Sequence, residues 1–166
     1  MTQPSPTAAG SASHPNVLAV RRRLDRAGAH GEIRILPDAV TTAPLAAAAL
    51  GVEVGQIATS LVFDADGAPL LVLTSGAHRV DTAKVAALVG AARVKRATPE
   101  FVRTATGQAI GGVAPVGHPA PVRTLVDTAL AQYDEVWAAG GIAHAVFPTH
   151  FDELVRITGG EPAEVA

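Results

Sequence analysis

Cysteine is absent from all 166 residues, which removes disulfides, thiolate nucleophiles and cysteine-ligated zinc. Aromatics are scarce at 4 %, so there is little surface for stacking single-stranded bases, and any RNA contact is expected to be small and transient. Lysine occurs only at Lys84 and Lys95. No apolar run approaches the roughly 18 residues a membrane span needs. The opening Met1-Thr2-Gln3-Pro4-Ser5-Pro6 has neither a basic n-region nor an apolar h-region. The expected compartment is therefore the cytoplasm, with no membrane partner. A net charge of −2 gives no overall basic field for holding polyanions. Arginines do gather at Arg21-Arg22-Arg23 with Arg26, and at Arg93, Arg96 and Arg103 around Lys95; the plain reading of each group is a solvated face.

The remainder describes a globular chain, with 48 % hydrophobic and 17 % charged residues, long enough to bury one core. Residues 1–14, rich in Pro, Ser and Ala, read as a disordered tail, leaving 15–166 as a single domain. Val17, Val20, Leu24 and Ala27 recur at helical spacing after Pro15, and Glu32–Leu36 alternates as a strand. Thr42, Asp81 or Thr82, and Thr98 sit where N-caps belong, and Gly51, Gly90 and Gly107 where helices stop. These bracket helices over 45–50, 83–89 and 99–106. Gln56–Phe63 and Pro69–Thr74 flank Asp66-Gly67, a hairpin signature. Strands are expected at Arg93–Arg96, Val122–Val126, Glu135–Ala138 and His144–Phe147. A short helix should cover Thr128–Gln132, and a last one should run from Thr149 to Ile157. Irregular interleaving with one clear hairpin predicts a compact α/β domain with a mixed, mostly antiparallel sheet surrounded by helices.

Chemistry concentrates in two glycine-bearing stretches. Ile110-Gly111-Gly112-Val113-Ala114-Pro115-Val116-Gly117 precedes the strand that ends at Asp127, and Gly140-Gly141-Ile142-Ala143-His144 lies between two short apolar runs. Glycine lets backbone N–H groups approach a ligand, and such amides can hold an anion or the oxygen of a carbonyl under attack. They can equally be plain turns. Nucleotide-phosphate and serine-nucleophile chemistry have no anchor: there is no dinucleotide glycine fingerprint, no phosphate loop ending in Lys-Ser/Thr, and no Gly-x-Ser-x-Gly elbow. The six histidines lack metal-ligand spacing, so neither a metal nor another cofactor is expected. His144, between small neighbours, is either a site group or a histidine bonded to a carbonyl. Asp127 can face a ligand or cap the following helix. Thr59 and Ser60 interrupt an apolar strand with hydroxyls that a ligand or a neighbouring carbonyl could satisfy.

In order along the chain, the Ala-rich helix before Gly51-Val52, strand Gln56–Phe63, Arg79-Val80-Asp81, Thr98-Pro99-Glu100, Thr106-Gly107, Gly111–Pro115, Val126-Asp127, Gly140–His144 and Phe151-Asp152-Glu153-Leu154 resemble the YbaK family of aminoacyl-tRNA deacylases. That family is related to the editing domain inserted in bacterial prolyl-tRNA synthetases, and the likeness covers roughly residues 30 to 165. It implies a trans-editing hydrolase that removes a small amino acid, such as alanine or cysteine, from proline tRNA or a related substrate. Backbone donors and substrate-assisted attack by water would replace a protein nucleophile. The partner implied is a transiently bound aminoacyl-tRNA, with an aminoacyl-tRNA synthetase as a second candidate. The implied catalytic set is Gly112, Gly141 and His144; the implied substrate contacts are Thr59, Ser60, Gly111, Val113, Pro115, Asp127 and Gly140. The sequence departs from the family at Thr59-Ser60-Leu61, where many members read Lys-Thr/Ser-Leu. A threonine cannot neutralise a phosphate as lysine does, so the alternative expectation is a catalytically weak or inactive binding module on the same fold.

Overall fold

The computed structural model describes residues 11–166. Five helices pack on one mixed sheet of eight strands: α1 Pro15–Arg26, β1 Arg34–Ile35, α2 Ala43–Leu50, β2 Ile57–Ala65, β3 Ala68–Ser75, α3 Thr82–Val89, β4 Val94–Arg96, α4 Pro99–Thr106, β5 Arg123–Asp127, β6 Val136–Ala139, β7 Ala145–Thr149, α5 Phe151–Thr158 and β8 Glu161–Ala163. The expected tail lies for residues 1–10 outside the described residues. His14 sits at the N-cap of α1, its ring accepting from the Asn16 amide.

The helices form where the sequence brackets them. Thr42, Asp81 and Thr98 each accept a backbone amide of the first turn, and Gly51, Gly90 and Gly107 close the helices in the left-handed conformation. α1 buries Val17, Val20 and Leu24, and Val20 and Leu24 join Leu71, Leu73 and Phe147 of the sheet in one core cluster. Burial of side chains of that size is worth about 1.5–3 kcal/mol each, so the helix is held by its apolar stripe and its arginines are left outside.

Strand order is β1-β7-β6-β2-β3-β5-β8, with β4 also on β2. Four of the seven pairings are antiparallel, and the parallel ones join β2 to β6, β3 to β5 and β5 to β8. Several boundaries differ from expectation: the first strand is only Arg34–Ile35, β2 runs on to Ala65, His144 falls in the turn before β7, and Thr149 ends β7, so that the last helix begins at Phe151. The edge strand β8 was not anticipated.

The topology leaves an opening in the middle of the sheet. On the edge away from β3, β2 pairs with β6 at Ile57–Ala58 and with β4 at Phe63–Ala65, where Ala97 N–H donates to the Val62 carbonyl. Thr59–Leu61 have no strand on that side. Backbone groups two residues apart in a strand face the same way, so Ser60 turns its own N–H and C=O into this gap.

Candidate active site

A hollow of about 160 Å³ fills the gap, and Thr59, Ser60, Gly111, Val113 and Ala143 are among its walls. For scale, an engineered protein cavity of about 150 Å³ takes benzene, so this one suits a group of about six heavy atoms. Thr41, Thr42, Trp137 and Arg96 also border it. The hydroxyls of Thr59 and Ser60 are shut off from solvent and have no hydrogen-bond partner, a condition that costs about 1–3 kcal/mol for each buried polar group. A wider cavity of about 430 Å³ adjoins the hollow through Ile110 and Ala143, and His14, Asn16, Arg103 and Gly141 line it too.

The two glycine stretches meet beside the hollow, where Gly112, Gly141 and Ile142 border the wider cavity. A Cβ on Gly112 would lie 2.5 Å from the Ile142 carbonyl carbon and 2.7 Å from the Ala143 nitrogen, so only glycine lets the two turns touch. Gly141 adopts φ +109°, and its Cα faces the Asn16 carbonyl, where a Cβ would be 2.9 Å away. The Asn16 amide donates to the Gly141 carbonyl in return. Buried Gln108 shapes the other turn from inside, accepting from Ala114 N–H at 2.7 Å and donating to the Val116 carbonyl.

The amides of the expected site divide: Gly141 N–H donates to no acceptor among the described residues, but it borders the wider cavity and not the hollow. Gly112 N–H donates to Ala109 and Gly140 N–H to Ala145, so neither is free for a ligand. Among the described residues, the amides of Gly111 and Ala143 donate to no backbone or side-chain acceptor. Both residues line the hollow.

Three further residues lie apart from the hollow. Asp127, 1 % exposed, accepts from Ser75 N–H (3.0 Å), Thr74 Oγ1 and Ala129 N–H, and its carboxylate lies 2.9 Å from His78 Nδ1. That makes it a helix cap and a clamp between β3 and β5. Pro115 is buried and borders a different groove, against α1. His144 does not border the hollow. Its Nδ1 lies 3.2 Å from the Leu36 carbonyl, while Leu36 N–H donates to the His144 carbonyl and Val40 N–H to that of Ala143. The histidine thus anchors the 36–42 segment, of which Val40, Thr41 and Thr42 do border the hollow.

Sequence reading missed Arg96, Asn16 and Gln108. Arg96 was visible only as one member of a basic run. Its position at the hollow follows from β4 pairing with β2 beyond the gap, so that Arg96 lies opposite Phe63. No carboxylate or imidazole lines the hollow, and among the described residues no group of three or more His, Asp or Glu is arranged to hold a metal ion.

Fold and hollow together define a small mixed α/β domain with a compact pocket, largely aliphatic in its walls and bordered by Thr41, Thr42, Thr59, Ser60 and Arg96. A family model described as the aminoacyl-tRNA editing domain matches residues 37–157, and the chain belongs to that family. Among solved structures, it is similar to a candidate trans-editing enzyme for prolyl tRNA synthetase, with 44 % identity, a TM-score of 0.85, and coverage of 91 % of this chain and 96 % of that one. A hypothetical protein of solved structure is 30 % identical with a TM-score of 0.82, over 89 % of this chain and 98 % of the other. The proline–tRNA ligase of Nitratidesulfovibrio vulgaris (strain DP4) is 36 % identical over 91 residues, which is 55 % of this chain and 16 % of that enzyme. The chain thus spans about a sixth of the ligase it matches. Among the described residues no helix is long and apolar enough to cross a membrane.

Proposed function

We propose that the protein hydrolyses the ester linking a small amino acid to the 3′ end of a tRNA, acting in trans on the product of a synthetase such as the prolyl enzyme. The observation that carries this reading is the contact of Gly112 with Ile142–Ala143. That contact sets the Gly111 turn beside Ala143, and both residues border a hollow sized for a small aminoacyl group with their amides unengaged among the described residues. In this reading those two N–H groups receive the carbonyl oxygen as it gains charge; one such donor is worth about 10²–10³ in rate in other hydrolases.

With no carboxylate or imidazole in the hollow, the proton acceptor comes from the substrate, through the vicinal hydroxyl of the terminal ribose. Water adds to the ester carbon and the bond to the ribose oxygen breaks; one proton of the water passes by way of the vicinal hydroxyl to that oxygen, the other goes to solvent, and the amino acid leaves as its carboxylate. The Ser60 carbonyl, on the unpaired stretch of β2, offers an acceptor for the substrate's α-ammonium. The guanidinium of Arg96, unpaired among the described residues, supplies the positive charge that Thr59 does not, toward a terminal phosphate. The wider cavity lined by Asn16 and Arg103 takes the terminal nucleoside.

The test is deacylation of a panel of labelled aminoacyl-tRNAs by the wild type, Thr59→Lys and Arg96→Gln. Turnover of small aminoacyl esters above the spontaneous rate, lost with Arg96→Gln, supports the reading. Absence of turnover with retained binding of an aminoacyl-adenosine analogue would convert it to a binding module.

A further inference from the structure

The basic cluster on α1 is not used by the hollow. Arg22, Arg23 and Arg26 are exposed and form no ion pair among the described residues. They border a groove of about 380 Å³ whose opposite wall includes Pro115, His118 and Val122. Spacings of i, i+1 and i+4 keep the three on one side of the helix, away from the buried stripe of Val17, Val20 and Leu24. Asp25, the one acidic residue of this helix, borders a separate cavity together with Arg21, so the helix does not neutralise its own groove. In a chain of net charge −2 the positive field is therefore local.

His118 gives the groove a second property. Its Nε2 lies 2.8 Å from the Ala114 carbonyl, which can only accept, so Nε2 carries the hydrogen. Burial pushes the imidazole pKa below its ordinary value, which leaves the ring neutral with Nδ1 as an acceptor.

We propose that this groove seats the phosphate backbone of the RNA whose acylated end enters the hollow, with Arg22, Arg23 and Arg26 on successive phosphates and His118 accepting from a ribose 2′-hydroxyl. The proposal rests on the editing function and extends it to a docking surface. α1 links the two places: Asn16 in its first turn holds Gly141, and Arg22 and Arg26 follow six and ten residues later. At 1.5 Å per residue the cations lie about 9 and 15 Å along the axis. Three cations spread along an open groove suit a chain of phosphates, and a neutral acceptor suits the hydroxyl that separates RNA from DNA.

The test is fluorescence anisotropy of a labelled RNA hairpin with a single-stranded 3′ end against the full chain, across a salt series. The variants are Arg22→Gln/Arg23→Gln/Arg26→Gln and a control of equal charge change away from the groove, Arg79→Gln/Lys84→Gln/Arg93→Gln. The groove variant should bind at least tenfold more weakly and lose about 2–3 from the log–log salt slope, at about 0.9 per phosphate contact, while the control shifts little. Equal losses in the two variants overturn the groove. His118→Ala should erase a preference for the RNA hairpin over a DNA hairpin of the same sequence; no such preference in the wild type overturns the role of His118. Deacylation separates this proposal from the editing reading. The groove variant should lose kcat/KM on an acylated hairpin and keep it on a 3′-aminoacyl adenosine. If the wild type hydrolyses neither, editing fails while anisotropy still decides the groove.

Discussion

Thr59 and Arg96 face the same hollow from two strands, and together they bear on the missing lysine. Lys84 is engaged with the Ala166 carbonyl and Glu164, and Lys95, one residue before Arg96, is not among the residues around the hollow. Arg96 is the cation there. A charge-assisted contact is worth about 1.5–3 kcal/mol, so Arg96→Gln should lower kcat/KM on aminoacyl-tRNA about 10- to 100-fold. Adding Thr59→Lys to that variant should recover part of the loss, read by single-turnover deacylation. Gly112 tests the contact between the turns. With a Cβ 2.5 Å from a backbone carbon, Gly112→Ala must push the turns apart, at a cost of about 1–3 kcal/mol. A lower unfolding midpoint in urea together with depressed activity is expected; an unchanged midpoint would refute the close packing. His118 gives a pH signature. Its folded pKa is lowered by burial, so above about pH 6.5 both folded and unfolded forms are neutral and no penalty applies. Below that, the unfolded chain takes up the proton that the fold resists, and stability falls as pH drops. Urea midpoints compared between pH 7 and pH 5 should show a smaller decline for His118→Gln than for the wild type.

At the scale of elements, what was legible followed from local chemistry. Caps at Thr42, Asp81 and Thr98 and stops at Gly51, Gly90 and Gly107 lie within a few residues of the helices they bound, and the Asp66-Gly67 turn fixes the β2–β3 register. Strand β8 was not legible: Glu161-Pro162-Ala163 carries a proline, tolerated because the strand lies at the sheet's edge. The candidate site was legible as two glycine turns, since only residues without a side chain permit that approach. Which amides stay free was not legible, because it depends on whether Ala109 and Ala145 offer their carbonyls. Asp127 shows the same limit, for a carboxylate at a strand end reads alike as ligand contact or cap until its partners are known. Asp127→Ala would strand the buried Ser75 N–H and the Ala129 N–H, each worth about 1–3 kcal/mol when left unpaired. Thermal unfolding should shift down by several degrees, while kcat of the folded fraction at a permissive temperature stays within about twofold. A collapse of kcat at full folding would return Asp127 to the site.

For the whole molecule, the hollow exists because β6 and β4 share one edge of β2 without meeting. That is a property of strand order, so no local pattern in Thr59-Ser60-Leu61 announces it. The opposite end of the sheet carries stability in place of chemistry. β8 lies beyond β3 and β5, and Ala163 and Val165 close a cluster with Phe63, Leu70, Val72, Val85 and Leu125. The Val165 carbonyl accepts from Asp81 N–H at the start of α3, so the last residues tie that helix to the sheet edge. Removing residues 159–166 exposes this cluster. Lost burial of one valine-sized side chain costs about 1.5–3 kcal/mol, and for a domain of this size each kcal/mol lowers Tm by about 2–4 °C. The truncated chain should therefore melt roughly 5–10 °C lower by calorimetry. Because β2 and β3 stand between β8 and the hollow, kcat/KM at 20 °C on a small aminoacyl ester should change by less than about threefold. A truncated chain that keeps its Tm but loses turnover would mean that the two ends of the sheet are coupled, and that the hollow depends on more than the open edge of β2.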